Sequence, residues 1–385
     1  MNFATMDSYS NEAIEILSLL KRRKNVLLSG PPGCGKSRLL NEVGHAFMDT
    51  PVTSVSAPSP VLVPDSPVAI PREVETEHEE FQNVWPAEGR DQRKVFKTVF
   101  HQQTKHREFV SGLSPLTNGE SGFRVVSGTL YRASEHAKLQ GGASLLVIDE
   151  INRGPAVQVF GGSIAGIEPE KRLNEDNTDT LNTQYFELLD PETGDIIEYA
   201  LPQHLYILAA MNQADTSVEP LDVAFLRRWA PYRLKPDYGV LREYFSLEEN
   251  DDDLPSTPEN ALSVYEAAIR ALNAINKRIR LGKGKEFQLG HGVFLTNEKE
   301  PSLELDEALE DVTELWGYVQ EHIEEVFFGD IYGMATVLNV TSGIRSHPLK
   351  LQEITFGGEP RLDLQGLDEV DNHNIYKLLK AVSEG

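Results

Sequence analysis

Val26-Leu27-Leu28-Ser29-Gly30-Pro31-Pro32-Gly33-Cys34-Gly35-Lys36-Ser37-Arg38-Leu39-Leu40-Asn41-Glu42-Val43 reads as an apolar strand, a glycine-rich turn and a helix in direct succession. Gly30 to Ser37 fit Gly-x-x-x-x-Gly-Lys-Ser, a loop whose backbone N–H groups converge on phosphates. Glycines at 30, 33 and 35 permit backbone conformations that a Cβ would obstruct, and the helix opening near Lys36 offers its partially positive end. Lys36 is placed to reach the β- and γ-phosphates, and the Ser37 hydroxyl to complete the shell of a Mg²⁺ ion. The stretch predicts binding of a nucleoside triphosphate, ATP or GTP, by Gly30, Pro31, Pro32, Gly33, Cys34, Gly35, Lys36, Ser37 and Arg38.

A second apolar run, Ser144 to Ile148, ends in Asp149-Glu150-Ile151-Asn152-Arg153. In a parallel sheet its carboxyl end shares an edge with the phosphate loop. Asp149 then supports the metal, and Glu150 orients or activates the attacking water. The other reading is a solvated strand end followed by a cap. A third run, Leu205 to Met211, leads into Asn212-Gln213-Ala214-Asp215, which brings an amide and a further acid to the same edge, although Asn is also an ordinary turn residue. Arg227-Arg228 follow the helical stretch Pro220 to Leu226. They suit either the γ-phosphate of a neighbouring subunit or surface salt bridges.

With Asn25 to Ser29, Val95 to His101 and a weaker Tyr232-Arg233-Leu234, these runs make five strands separated by helical segments, hence an α/β fold with a parallel sheet covered on both faces. From about Pro236 helical patterns take over, notably Leu262 to Arg280 and Leu305 to Phe327, and predict a smaller helical domain. The expected division is 8–235 for the nucleotide-binding domain, 236–345 for the helical domain and 346–385 for an extension without an assigned role. Residues 51–94 contain seven prolines and an acidic second half, fit neither helix nor strand, and read as an inserted loop.

The chain has 385 residues, with 36 Lys plus Arg against 60 Asp plus Glu, a net charge of −24 that opposes general attraction to nucleic acid. Contact with nucleic acid is expected only locally or through a partner. Lys21-Arg22-Arg23-Lys24 reads as the only dense basic run, and a solvated helix end explains it equally well. One cysteine, Cys34, excludes an internal disulfide. No apolar run is long enough to span a membrane and the start lacks signal-peptide character, so a cytoplasmic location is expected.

Together, the glycine loop, Ile148-Asp149-Glu150-Ile151-Asn152-Arg153, Met211-Asn212-Gln213-Ala214-Asp215 and Leu226-Arg227-Arg228-Trp229 resemble the AAA+ P-loop NTPases of the MoxR and dynein-related branch, most nearly the McrB-like motor subunits of modification-dependent restriction systems. Further likenesses are Phe100-His101-Gln102, Phe109, Gly112-Leu113-Ser114-Pro115, Gly128-Thr129-Leu130-Tyr131, Val159-Phe160-Gly161 and Lys285-Glu286-Phe287-Gln288-Leu289-Gly290-His291. The resemblance implies a five-stranded sheet with a helical lid, a ring of copies expected to be hexameric, Asn212 as sensor, and Arg227 and Arg228 acting in trans. It also implies a separate effector, such as a nuclease, for a restriction or anti-phage role. MoxR-like remodelling of a protein partner and a nucleotide-switched scaffold are the alternatives. Three departures stand out: only a short stretch precedes Asn11 where a DNA-reading domain would lie, Thr216 replaces the Arg that usually follows the Asn-x-x-Asp element, and the 51–94 insertion is long.

Overall fold

A computed structural model describes residues 9–49, 85–116, 121–214, 221–249, 252–295, 300–343 and 346–384. The chain divides into two compact units. The first comprises Met1–Ser29, Lys36–Met211 and Thr216–Tyr232; the second comprises Gly30–Gly35, Asn212–Asp215 and Arg233–Gly385. Among the described residues no helix is long and apolar enough to cross a membrane.

The first unit opens with helix α1 (Asn11–Arg23), capped by Ser10, whose hydroxyl accepts from the Ala13 N–H. Its apolar stripe of Ala13, Ile16, Leu17 and Leu20 is buried, as the 3.6-residue spacing predicts. Strand β1 (Asn25–Gly30) and helix α2 (Lys36–Met48) flank the glycine loop. Next come β2 (Gln92–Val99), α3 (His106–Phe109), β3 (Ser111–Pro115), β4 (Phe123–Ser127), α4 (Thr129–Lys138), β5 (Gly142–Asp149) and α5 (Ala156–Phe160). The unit closes with β6 (Phe186–Leu189), β7 (Ile196–Tyr199), β8 (Leu205–Asn212), α6 (Val223–Leu226) and β9 (Ala230–Arg233).

The main sheet has the order β2-β5-β8-β1-β9. Parallel pairing runs from Gln92↔Gly142 to Val99↔Asp149 between β2 and β5, and from Ser144↔Leu205 to Ile148↔Ala209 between β5 and β8. The near-continuous burial of β1, β5 and β8 is what a sheet covered on both faces requires. The second strand therefore starts three residues before Val95 and stops two before His101. Beyond Val99 the Phe100 N–H still reaches the Asp149 carbonyl at 3.0 Å, but the His101 N–H turns to the Thr104 hydroxyl at 2.9 Å. The last strand runs Ala230–Arg233 rather than 232–234.

Two antiparallel ribbons, β3–β4 and β6–β7, escaped the sequence reading because each strand is only four or five residues long. Their roots pack into an aromatic cluster. Phe109 lies 5.2 Å from Phe100 and 4.6 Å from Phe160, and Phe225 lies 5.3 Å from Phe160. A Cβ on Gly128 would sit 2.2 Å from the Phe109 carbonyl carbon, so that glycine is fixed by close backbone approach. Of the insertion read at 51–94, residues 51–84 lie outside the described residues. Of residues 85–94, Trp85, Ala87 and Arg93 are buried and Gln92 is already in β2.

Around the start of β8 the buried charges are held by carbonyls. Arg172, fully buried, donates to the carbonyls of Ile167 and Leu205 and to Asn25 Oδ1 at 2.6 Å. His204 accepts from Arg90 at 2.7 Å through Nε2. Burial pushes the His204 pKa down to about 4, and the charges of Arg90 and Lys24 act in the same direction. An unfolded histidine titrates near 6.5, so as pH falls from there the unfolded chain takes up the proton first and stability drops until about pH 4. Urea unfolding at pH 7.5 and 4.5 should show a smaller pH difference for His204→Gln than for wild type.

The second unit contains α7 (Tyr238–Tyr244), α8 (Ala261–Gly282), α9 (Leu305–Val326), α10 (Ile331–Val337), the antiparallel strands β10 (Lys350–Phe356) and β11 (Glu359–Gln365), and α11 (Ile375–Ser383). Asn260 and Ser263 form a capping box that fixes the start of α8. Leu272, Ile275 and Ile279 of α8 share one core with Leu315, Val319 and Ile323 of α9 and Leu378 and Leu379 of α11. The final forty residues thus hold a hairpin turned by Gly357 and Gly358, both at positive φ, and a buried helix.

Candidate functional site

In the first unit, Ser37 in the opening turn of α2 and Asp149 at the end of β5 meet across 112 residues of sequence. The Ser37 hydroxyl donates to Asp149 Oδ2 at 3.3 Å. Asp149 is held in place, its Oδ1 accepting the Glu150 N–H at 2.9 Å. Glu150 has φ +52°, ψ +42°, a left-handed conformation that costs a residue with a Cβ about 1–2 kcal/mol. That bend starts the short turn Ile151–Arg153, and Arg153 Nε lies 3.3 Å from Glu150 Oε2. Lys36 is buried in the first turn of α2. Arg38 is exposed and bridges to Glu42 one turn later at 2.7 Å.

The loop Gly30–Gly35 packs within the second unit. Gly33 and Gly35 both have φ +75°. A Cβ on Gly30 would lie 2.9 Å from the Leu234 carbonyl oxygen. The N–H groups of Gly290 and Gly292 donate to the carbonyls of Pro32 and Gly33, each at 2.8 Å. Cys34 is buried. The segment that reaches the loop is itself clamped, because the buried Asn276 of α8 donates to the Leu289 carbonyl at 2.8 Å and accepts the Leu289 N–H at 2.7 Å. His291 Nδ1 accepts the Asp237 N–H at 3.0 Å.

Asn212 is the last residue of β8, the strand beside β5. Asp215 lies outside the described residues. The two arginines separate: Arg227 is exposed, whereas Arg228 pairs with Glu168 at 2.9 Å and donates to the Ala224 carbonyl. Asn276, Gly292 and Glu168 were not singled out from sequence, whereas Gly290 lies in the Lys285–His291 stretch quoted for its likeness.

The oxygen pair of Ser37 and Asp149 suits a hard cation such as Mg²⁺, which takes few protein ligands and fills its shell with phosphate oxygens and water. No group of three or more His, Cys, Asp or Glu able to hold a metal occurs among the described residues.

Residues 87–229 match the profile of the AAA domain of the dynein-related subfamily. This stretch is similar to the dynein-related AAA domain. The match begins after the glycine loop, which stands on its own geometry. The Type IV methyl-directed restriction enzyme EcoKMcrB subunit of Escherichia coli (strain K12) is 25% identical over 324 residues, 82% of this chain and 57% of that protein. The Type II restriction enzyme BsuMI component YdiS of Bacillus subtilis (strain 168) is 28% identical over 216 residues, 54% of this chain and 56% of that protein. The chain thus spans little more than half the length of these curated relatives. A putative ATPase from Cytophaga hutchinsonii superposes with a TM-score of 0.31 at 12% identity, covering 95% of this chain and 87% of that one, too loosely to add to the argument. The aromatic cluster and both small ribbons fall inside the matched residues.

Proposed function

We propose that the chain is a Mg²⁺-dependent nucleoside triphosphatase that uses ATP or GTP. The observation that carries this reading is the Ser37–Asp149 contact at 3.3 Å, which brings a phosphate-loop hydroxyl and a strand-end carboxylate to one point. In this reading the loop amides and Lys36 grip the β- and γ-phosphates, and Ser37 and Asp149 hold the cation that neutralises phosphate charge. Glu150 orients a water and accepts its proton as the water oxygen bonds to the γ-phosphorus and the bond to the β–γ bridging oxygen breaks. Asn212 hydrogen-bonds the water or the γ-phosphate. Arg227 reaches the site of an adjacent copy, which requires a ring of subunits, and the proposed location is the cytoplasm. Residues 8–235 form the nucleotide-binding domain in this reading, with 51–94 inserted, 236–345 the lid and 346–385 an extension.

We further propose that turnover drives a nuclease on a separate chain, with nucleic acid contacted locally or through that partner. The support is that both curated relatives are named as parts of restriction enzymes. Calorimetric titration with Mg-ATP and Mg-GTP, followed by phosphate release, tests the core of the reading. Failure of folded protein to take up either nucleotide overturns it. Gly290→Ala gives a finer test, because the added Cβ would lie 2.1 Å from the Gly33 carbonyl carbon and must displace the loop. Nucleotide affinity is expected to fall at least ~10-fold, about 1.4 kcal/mol.

A further inference from the structure

Two backbone donors of the glycine loop take their direction from the segment that packs on it. A trans peptide places its C=O and its N–H on opposite sides. The Pro32 carbonyl accepts the Gly290 N–H and the Gly33 carbonyl accepts the Gly292 N–H, each at 2.8 Å. The N–H groups that complete those two peptide units, on Gly33 and Cys34, therefore point away from the 290–292 segment. Side chains are excluded from this contact, since a Cβ on Gly292 would lie 2.6 Å from the Gly33 carbonyl oxygen.

The direction is set one step further back. The Gly290 N–H shares its peptide unit with the Leu289 carbonyl, and that carbonyl accepts from Asn276 Nδ2 at 2.8 Å. Asn276 Oδ1 in turn accepts the Leu289 N–H at 2.7 Å, so one amide side chain spans both backbone groups of Leu289. Nδ2 also donates to the Tyr238 hydroxyl of α7 at 2.9 Å. Burial pushes the Tyr238 pKa up to about 12, which keeps that hydroxyl neutral. Asn276 is fully buried, and turning its amide over would set donor against donor and oxygen against oxygen at Leu289. A relay of planar units results, running from the Asn276 amide through the Leu289–Gly290 peptide and the Pro32–Gly33 peptide to the Gly33 N–H.

Resting on the proposed function, we propose that Asn276 is a positioning residue for the triphosphate, aiming the Gly33 N–H at its phosphates through the Leu289–Gly290 peptide unit. The Asn276 amide is committed to Leu289 and Tyr238, so it acts through the loop. Without it the Leu289 backbone groups lose their buried partners, a cost that rotation of the peptide relieves. The same rotation turns the Gly33 N–H off its phosphate. A residue that only held the fold would lower the thermal midpoint and leave the affinity of the folded chain unchanged.

The full chain is tested with three variants. Asn276→Leu has a similar volume and no hydrogen bonds; Asn276→Asp keeps the acceptor for the Leu289 N–H and loses the donor to the Leu289 carbonyl; Tyr238→Phe spares both Leu289 bonds. Equilibrium titration with Mg-ATP and Mg-GTP is read beside steady-state phosphate release. The two Asn276 variants are expected to raise Kd and KM at least ~10-fold with kcat within about threefold of wild type, and Tyr238→Phe to raise Kd and KM about threefold. Hydrogen–deuterium exchange of the nucleotide-free protein is expected to quicken over residues 289–292 in Asn276→Leu while α8 keeps its protection. Folded Asn276 variants with wild-type affinity overturn the proposal, as does a fall in kcat at unchanged KM, or unaltered exchange over 289–292. If Asn276→Leu does not fold, Asn276→Asp and Tyr238→Phe carry the same readings. Absence of nucleotide uptake by wild type counts against the proposed function; the exchange arm needs no nucleotide and still decides whether Asn276 holds the Leu289–Gly290 peptide.

Discussion

Glu150→Gln is expected to bind nucleotide with near wild-type affinity and to turn it over at least ~100-fold more slowly. The substitution keeps the size of the side chain and removes its ability to take a proton. Glu150 occupies a left-handed bend at the end of β5, directly after Asp149, which faces Ser37. An amide at that place can still hydrogen-bond a water but cannot accept its proton, so the loss falls on kcat rather than on binding. The effect corresponds to about 2.7 kcal/mol of transition-state stabilisation. Single-turnover phosphate release alongside equilibrium binding measures both quantities, and turnover within a few-fold of wild type would remove Glu150 from the mechanism.

Arg227→Ala is expected to lower turnover by ~10³ or more, the usual worth of an arginine supplied to a developing phosphoryl charge, while Arg228→Ala acts mainly on stability. The two adjacent residues differ in what holds them. Arg228 is committed to Glu168 and the Ala224 carbonyl, and its own backbone carbonyl accepts from Asn25 at 3.1 Å. Arg227 is exposed and can project toward an adjacent copy. Mixing Arg227→Ala with Lys36→Ala, each inactive alone, should restore part of the turnover, because one mixed interface carries an intact loop facing an intact arginine. Absence of complementation would confine Arg227 to its own subunit. The Arg228→Ala variant should instead lower the thermal midpoint by a few degrees at unchanged kcat, since it strands a half-buried Glu168.

The parallel sheet was legible because β1, β5 and β8 are unbroken apolar runs ending in polar residues, and burial on both faces demands just that composition. The long helices α8 and α9 were legible from their apolar period. The three small ribbons were not, since four- to seven-residue strands with one exposed face carry little periodic signal, and β10–β11 is exposed along nearly all its length. Of the candidate site, Ser37 and Asp149 could be named from sequence because the chemistry fixes their residue types, and the structure brings the two side chains together. Asn276 was not, because a buried Asn that clamps one peptide unit is indistinguishable in sequence from any polar residue in a helix. Likewise Glu168, sixty residues from Arg228, leaves no local trace of their pairing.

The stitch between Pro32-Gly33 and Gly290-Gly292 is made wholly of peptide groups, so no exchange of side-chain chemistry cuts it; only added bulk can. Within that body the next link is Leu289 to Asn276, which sits in the 22-residue rod Ala261–Gly282, about 33 Å long at 1.5 Å per residue. The glycine bend is therefore tied through two successive hydrogen-bonded links to a stiff rod.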